Sequence, residues 1–73
     1  MKVTYDRAAD AAYVSLASDI GVRAVATTYC CDPLEVRGQI HLDFNADGVL
    51  IGIEILGASK RLPAALLASA GPP

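Results

Sequence analysis

Polar and apolar positions alternate most regularly between residues 39 and 62, and this stretch predicts a β-hairpin followed by a helical turn. Within residues 40–44, apolar side chains occupy every second position, as expected of a strand with one buried face. Residues 45–48 read Asn-Ala-Asp-Gly, which is typical of a tight turn because Asn and Asp bond their own backbone and Gly accepts a positive φ. Residues 49–56 are almost wholly apolar, which predicts a central strand.

The register of this hairpin has two alternatives, and they distribute the polar side chains differently. A four-residue loop places His41, Asp43 and Glu54 together on the face opposite the apolar side chains. A three-residue loop with a bulge at Gly48 moves Glu54 to the apolar face instead. Hydrophobic matching favours the first register, and the Asp-Gly turn sequence favours the second, so both remain open.

Three further segments are rich in residues that favour strands: residues 2–5, 12–16 and 22–30. Asp6 is placed to cap a single helical turn between the first two segments. A turn is predicted over residues 18–21, and Asp32-Pro33 breaks the third strand because proline removes a ladder donor.

The rest of the chain contributes less regular structure. Residues 34–37 fit either a loop or the start of the next strand, residues 58–68 predict a short helix, and residues 71–73 are expected to fray. The predicted fold class is α+β, mainly β: a small antiparallel meander sheet of four or five strands with one short C-terminal helix.

Length and charge narrow the possible classes of protein. The 73 residues are predicted to form one domain spanning residues 1–73, close to the size at which a lone core is marginal. The net charge of -2 and the scattered basic residues give no basic stripe, so this chain alone is not expected to bind nucleic acid. No apolar stretch reaches membrane-spanning length and the first residues lack a signal-peptide pattern, which predicts a cytoplasmic protein.

The two cysteines, Cys30 and Cys31, are predicted to be free thiols because a disulfide between neighbouring residues is strained. No CxxC motif accompanies them, and the single histidine, His41, has no partner at a ligand spacing. A zinc site within one chain is therefore not expected, and no cofactor is predicted.

Three pieces of the sequence, YDRAADAAYVSL, LDFNADGVLIGIEIL and ASKRL, resemble a small bacterial family called domain of unknown function 2283. The positions that carry the resemblance are Tyr5, Asp6, Asp10, Tyr13, Asp43, Asp47, Gly48, Gly52, Glu54, Ala58 and Ser59. This chain departs from the pattern at residues 30–33 and in the Ala-rich tail after Pro63. The resemblance implies a compact antiparallel sheet with a short C-terminal helix and no established activity. Some members look like neighbours of small toxin-like proteins, which implies an antitoxin-like role with such a partner.

Five titratable side chains form a candidate functional cluster for ligand binding or catalysis: Asp6, Asp10, His41, Asp43 and Glu54. Two close carboxylates can share a proton or hold a hard cation, and a histidine near a carboxylate can act as a base. The simpler interpretation makes Asp6 a cap and His41 a surface residue. Their convergence in one pocket would distinguish the two interpretations.

Glu54 is the most informative of these side chains because it interrupts an apolar strand. It is expected to face solvent, to bind a ligand, or to pair with one of four basic residues: Arg23, Arg37, Lys60 and Arg61. Gly52, in the same strand, is expected to admit close packing of an aromatic side chain such as Tyr5 or Tyr13.

The leading functional hypothesis is a non-enzymatic protein-interaction module that acts as a homodimer. The expected interface comprises large aliphatic residues that one short helix would not cover: Leu50, Ile51, Ile53, Ile55, Leu62, Leu66 and Leu67. The alternative is that residues 63–70 fold back and cap the sheet within one chain.

Overall fold

The computed structural model describes residues 1–17 and 24–73, and its five strands form one sheet. The strands are β1 (Lys2–Asp6), β2 (Ala11–Ser15), β3 (Thr27–Cys30), β4 (Ile40–Phe44) and β5 (Leu50–Leu56). The helical elements are α1 (Pro33–Val36), a 3₁₀ turn at Ala58–Lys60 and α2 (Ala64–Ser69). The turn predicted over residues 18–21 and the start of the strand predicted over residues 22–30 lie outside the described residues.

The strand order is β1-β2-β5-β4-β3, and every neighbouring pair is antiparallel. The predicted class is confirmed: a mainly β, α+β fold with a short C-terminal helix. Strand β5 is the central strand, as its apolar sequence indicates. The order departs from a simple meander at one place, because β2 pairs with β5 and not with β3.

The β4–β5 hairpin combines features of both predicted registers. Its turn has three residues, since the Asn45 N–H donates to the Val49 carbonyl at 2.9 Å, and Gly48 takes the positive φ of 77° that such a turn requires. A bulge beside Phe44 then shifts the pairing by one residue. Neither register was right throughout: the turn is that of the second, whereas the bulge restores the distribution of faces that the first predicted.

A turn at residues 7–10 connects β1 to β2, and Asp6 caps it as predicted. Its Oδ1 accepts hydrogen bonds from the N–H groups of Ala8 and Ala9 at 3.0 and 3.2 Å. Asp10 closes the turn with a φ of 51°, a left-handed conformation that aspartate tolerates better than most side chains. The turn thereby fixes the position of the Asp10 carboxylate.

One face of the sheet, the apolar face, packs against α2 and the 3₁₀ turn. The core consists of Ala12, Ile55, Ala58 and Leu67, and Tyr5, Val14, Ile53 and Leu62 pack around it. The C-terminal segment thus folds back onto the sheet within one chain. Three residues of the expected dimer interface, Ile51, Ile55 and Leu67, are only 2%, 4% and 9% exposed, so they have little surface left for a partner.

The two edges of the sheet differ. Gly71 bridges the β1 edge: its N–H donates to the Val3 carbonyl at 3.0 Å, and its carbonyl accepts from the Tyr5 N–H at 2.9 Å. The tail, which was expected to fray, therefore carries a backbone contact at Gly71. At the other edge, all four residues of β3 are exposed.

The segment after β3, whose conformation the sequence left open, forms the single helical turn α1. Asp32 caps it by accepting from the Leu34 N–H at 2.9 Å, and Pro33 occupies its first turn. The turn ends at Arg37, which has a φ of 57°. In the described ranges, no helix is both long and apolar enough to cross a lipid bilayer.

Candidate functional site

The five candidate residues fall into two separate groups. Asp6 ends β1, and Asp10 closes the turn between β1 and β2. His41, Asp43 and Glu54 lie on β4 and β5, where their register places them on the sheet face opposite α2, here called the polar face. The five side chains therefore do not converge in one pocket.

Asp10 connects the first turn of the chain to the 3₁₀ turn. Its Oδ1 accepts from the Tyr5 hydroxyl at 2.7 Å and from the Ser59 N–H at 2.9 Å, and its Oδ2 accepts from the Ser59 hydroxyl at 2.7 Å. The Asp10 carbonyl also accepts from the Ala58 N–H at 2.9 Å. These contacts tie β1, the β1–β2 turn and the segment after β5 to a single residue.

The same hydrogen bonds set the ionisation of this group. Donation by Tyr5, and then by the Ser59 hydroxyl and N–H, holds the pKa of Asp10 below its ordinary value of 3.8. The acceptor carboxylate in turn raises the pKa of Tyr5 above 10.0. Asp10 is thus an ionised carboxylate with its oxygens engaged, which suits a structural joint better than a general acid.

Tyr13 crosses the polar face and joins three strands. Its hydroxyl donates to Asp43 Oδ2 at 2.7 Å, and the Thr28 hydroxyl donates to Asp43 Oδ1 at 2.7 Å. The tyrosine ring passes over Gly52, where a Cβ would overlap the tyrosine hydroxyl. The prediction that Gly52 admits an aromatic side chain is confirmed, and Tyr13 is that side chain.

Burial raises the pKa of Tyr13 to about 12, and the hydrogen bond to Asp43 and the negative charges of Asp43 and Glu54 act in the same direction. At neutral pH Tyr13 is therefore a protonated hydrogen-bond donor. Because Tyr13 belongs to β2 and bonds to Asp43 of β4, it holds the sheet together across the central strand.

His41 and Glu54 form a hydrogen-bonded pair on neighbouring strands. The His41 Nδ1 lies 2.9 Å from Glu54 Oε1, and the two side chains are 23% and 42% exposed. Glu54 thus combines two of its expected behaviours, since it lies on a sheet face and has a partner, but the partner is His41. The predicted pairing with Arg37, Lys60 or Arg61 does not occur; Arg23 lies outside the described residues.

The basic residue Arg61 has a different role from the one considered for it. Its Nη1 donates to the Arg37 carbonyl at 2.7 Å, and its guanidinium packs against Gly38. It therefore satisfies a backbone acceptor at the end of α1.

Two surface clefts lie beside Tyr5 and Arg7. One, of about 340 Å³, is lined by Tyr5, Asp6, Arg7 and residues 70–73, and the other, of about 260 Å³, by Tyr5, Arg7, Ser59, Ala64, Leu67 and Ala68. Neither cleft is lined by a candidate residue of the polar face.

Sequence reasoning missed three contributors to these groups. Thr28 and Ser59 hydrogen-bond to carboxylates that lie 15 and 49 residues away, and no local pattern marks such pairs. Cys30 lies directly opposite His41 in the β3–β4 register, a proximity that required knowing which strands pair. Among residues 1–17 and 24–73, no group of three or more His, Cys, Asp or Glu side chains is arranged to hold a metal ion.

The fold and its two polar groups define a small sheet protein in which buried aliphatic residues form one face and a tyrosine-braced polar array forms the other. The chain belongs to the family described as protein of unknown function (DUF2283), whose sequence model matches residues 2–59. No curated protein and no solved structure gives a match.

Proposed function

We propose that this protein is a non-enzymatic interaction module that forms a homodimer by joining its β3 edge to the same strand of a second copy. The observation that carries this proposal is the exposure of β3. Its four residues, Thr27–Cys30, are all exposed, and Tyr29 alone is 58% exposed. An exposed edge strand offers unpaired backbone donors and acceptors to another strand.

The sequence of β3 favours such pairing. Thr-Thr-Tyr-Cys contains only strand-compatible residues and has neither the charge nor the proline that commonly blocks edge association. The β1 edge, in contrast, is bridged by Gly71. The two edges are therefore not equivalent, and β3 is the edge that supports docking.

A second copy is the occupant that the strand geometry favours. Two copies of β3 related by a two-fold axis run antiparallel, so each strand presents the same uncharged sequence to the other. The product would be a continuous sheet of ten strands, since each chain contributes five. This location differs from the aliphatic interface first expected, three residues of which, Ile51, Ile55 and Leu67, are buried within the chain.

The antitoxin-like version of this function assigns the same edge to a small toxin-like protein. The alternative of a ligand-binding protein or enzyme has less support, because the five residues it needs are divided between two places. In both places hydrogen bonds within the chain engage the carboxylates.

Sedimentation equilibrium at micromolar concentrations tests the proposal. The expected mass is twice the 7.6 kDa of one chain. Tyr29→Lys should raise the dimer dissociation constant at least about tenfold, which corresponds to about 1.4 kcal/mol, because the axis brings two like charges close together. Val49→Lys is the matched control, since Val49 is 50% exposed but lies outside β3.

A second variant, Cys30→Pro, tests the backbone directly. The Cys31 N–H donates to the Ile40 carbonyl at 2.9 Å. Successive N–H groups of an antiparallel strand point to opposite sides, so the Cys30 N–H points away from β4. Proline at this position should leave the β3–β4 pairing intact and block the dimer. A wild-type protein that stays monomeric throughout, or a proline variant that dimerises normally, would contradict the proposal.

A further inference from the structure

Cys30 and His41 lie side by side at the rim of the polar face. They are direct partners in the β3–β4 register. The neighbouring Cys31 N–H donates to the Ile40 carbonyl at 2.9 Å, so Cys30 and His41 form a pair without backbone hydrogen bonds between them. Side chains in such pairs have Cβ atoms about 4.5–5.5 Å apart and can reach a common atom. The Cys30 residue is exposed and its thiol is free.

The hydrogen bond with Glu54 prepares His41 to act as a ligand. Glu54 Oε1 lies 2.9 Å from the Nδ1 atom, and an ionised carboxylate can only accept a hydrogen bond. The Nδ1 atom of the neutral ring therefore carries the proton, which leaves the lone pair on Nε2. A carboxylate behind a histidine in this way fixes the ring orientation and increases the basicity of the free nitrogen.

We propose that Cys30 Sγ and His41 Nε2 are two ligands of a site for a thiophilic d¹⁰ cation of the zinc class, with Glu54 as the residue that orients the histidine. Thiolate and imidazole are the donors that such cations prefer. Such a cation binds sulfur at about 2.3 Å and nitrogen at about 2.0–2.1 Å.

Among the described residues, no third donor is arranged with these two to hold a metal ion. Water or an added ligand completes the coordination at the exposed rim of the sheet. Binding exchanges the thiol proton of Cys30 for the cation, so one proton is released and no electron is transferred. The site is accordingly weaker than a four-ligand structural zinc site, and its loss leaves the fold intact.

Cys31 provides a matched control. Successive residues of a strand point to opposite faces, and Cys31 directly follows the end of β3, so its thiol does not share the face of Cys30. Cys31→Ser removes one thiol without removing the proposed ligand. Cys30→Ser makes the same replacement of sulfur by oxygen at the residue before it.

Titration of the reduced full chain with Co²⁺, followed by competition with Zn²⁺, tests the site. The wild type should show a thiolate-to-cobalt charge-transfer band that saturates at one ion per chain and disappears when zinc is added. Cys30→Ser should abolish the band, whereas Cys31→Ser should leave it unchanged. His41→Gln and Glu54→Gln should each weaken binding by about tenfold or more, the glutamate variant through the loss of ring orientation.

Far-UV circular dichroism confirms that each variant is folded before titration. The proposal is overturned if the wild type shows no thiolate band, if Cys31→Ser removes the band as Cys30→Ser does, or if His41→Gln binds as tightly as the wild type. Sedimentation of the Cys30→Ser variant separates the metal site from the dimer, because this variant should lose the metal site and still dimerise.

Discussion

Replacing Gly52 by alanine should destabilise the protein, and the reason lies in Tyr13. A Cβ at residue 52 would overlap the Tyr13 hydroxyl and the ring carbon that bears it. The backbone conformation at residue 52 is compatible with alanine, since Gly52 is not among the residues with positive φ. The cost of Gly52→Ala therefore arises from displacement of the Tyr13 ring and loss of its hydrogen bond to Asp43.

The size of this effect follows from two opposing contributions. A hydrogen bond to a charged acceptor contributes about 1.5–3 kcal/mol, and the lower part of this range applies because the Tyr13–Asp43 contact is only partly buried. Against this, alanine in a strand is favoured over glycine by roughly 0.5–1 kcal/mol through backbone entropy. We expect Gly52→Ala to reduce the free energy of unfolding by about 1 kcal/mol, or somewhat more where the displaced ring also loses contacts.

Chemical and thermal unfolding measure this change, with about 4–8 °C of midpoint shift per kcal/mol for a domain of this size. A double-mutant cycle supplies the control. In a Tyr13→Ala background the obstructing ring is absent, so Gly52→Ala should become neutral or stabilising. If Gly52→Ala is harmless in the wild type, or equally harmful with and without Tyr13, the packing of Tyr13 over Gly52 is not the cause.

Three further predictions concern ionisation and the core. The pKa of Tyr13 is about 12 in the folded protein and near 10.0 in the unfolded chain. Its contribution to stability is therefore complete below pH 10 and declines towards pH 12. Absorbance titration of tyrosinate should show a group with a pKa of about 12 that Tyr13→Phe removes. The pKa of Asp10 is lowered on folding, so its contribution to stability is complete above pH 3.8 and is lost as the pH falls further. Asp10→Asn should therefore make stability depend less on pH in the acid range. An unchanged acid-unfolding profile would refute this. Leu67→Ala should cost about 2–4 kcal/mol in urea unfolding, and the half-buried Leu66 clearly less; equal losses would contradict the packing.

The hairpin shows how far local sequence can specify a fold. Asn45 and Gly48 determined the turn, because their preferences act within four residues. The bulge beside Phe44 has no comparable local signal. It aligns Gly52 with Asp43, and that alignment lets Tyr13 of β2 reach across the sheet. The register thus brings together side chains from strands that are distant in sequence, which alternation of apolar residues cannot reveal.

Strand order was limited by the same difficulty. Three hairpin pairings join consecutive strands, and short connections make such pairings predictable. The pairing of β2 with β5 is non-local, and α2 covers the apolar face beside it. The aliphatic surplus in the second half of the sequence was real, but part of it is used inside the chain.

The candidate carboxylates illustrate why a titratable residue is weak evidence for chemistry. The sequence placed Asp10 and Asp43 among possible acids and ligands, yet each accepts hydrogen bonds from a tyrosine and a hydroxyl side chain. Residue type alone could not distinguish these roles, because the donors come from segments 5 to 49 residues away.

The positions that carry the family resemblance have mostly architectural roles in this structure. Tyr5, Asp10 and Ser59 join the first turn to the segment after β5, and Tyr13, Asp43 and Gly52 brace the polar face. A shared pattern of this kind can maintain one sheet in many chains without fixing a common partner.

Residues 30–33 lie where the proposed dimer edge meets the proposed metal site. This segment begins in the exposed strand β3, at the cysteine that lies opposite His41, and continues into the cap of α1. Cys30 thus belongs both to the uncharged edge proposed for self-association and to the proposed metal site.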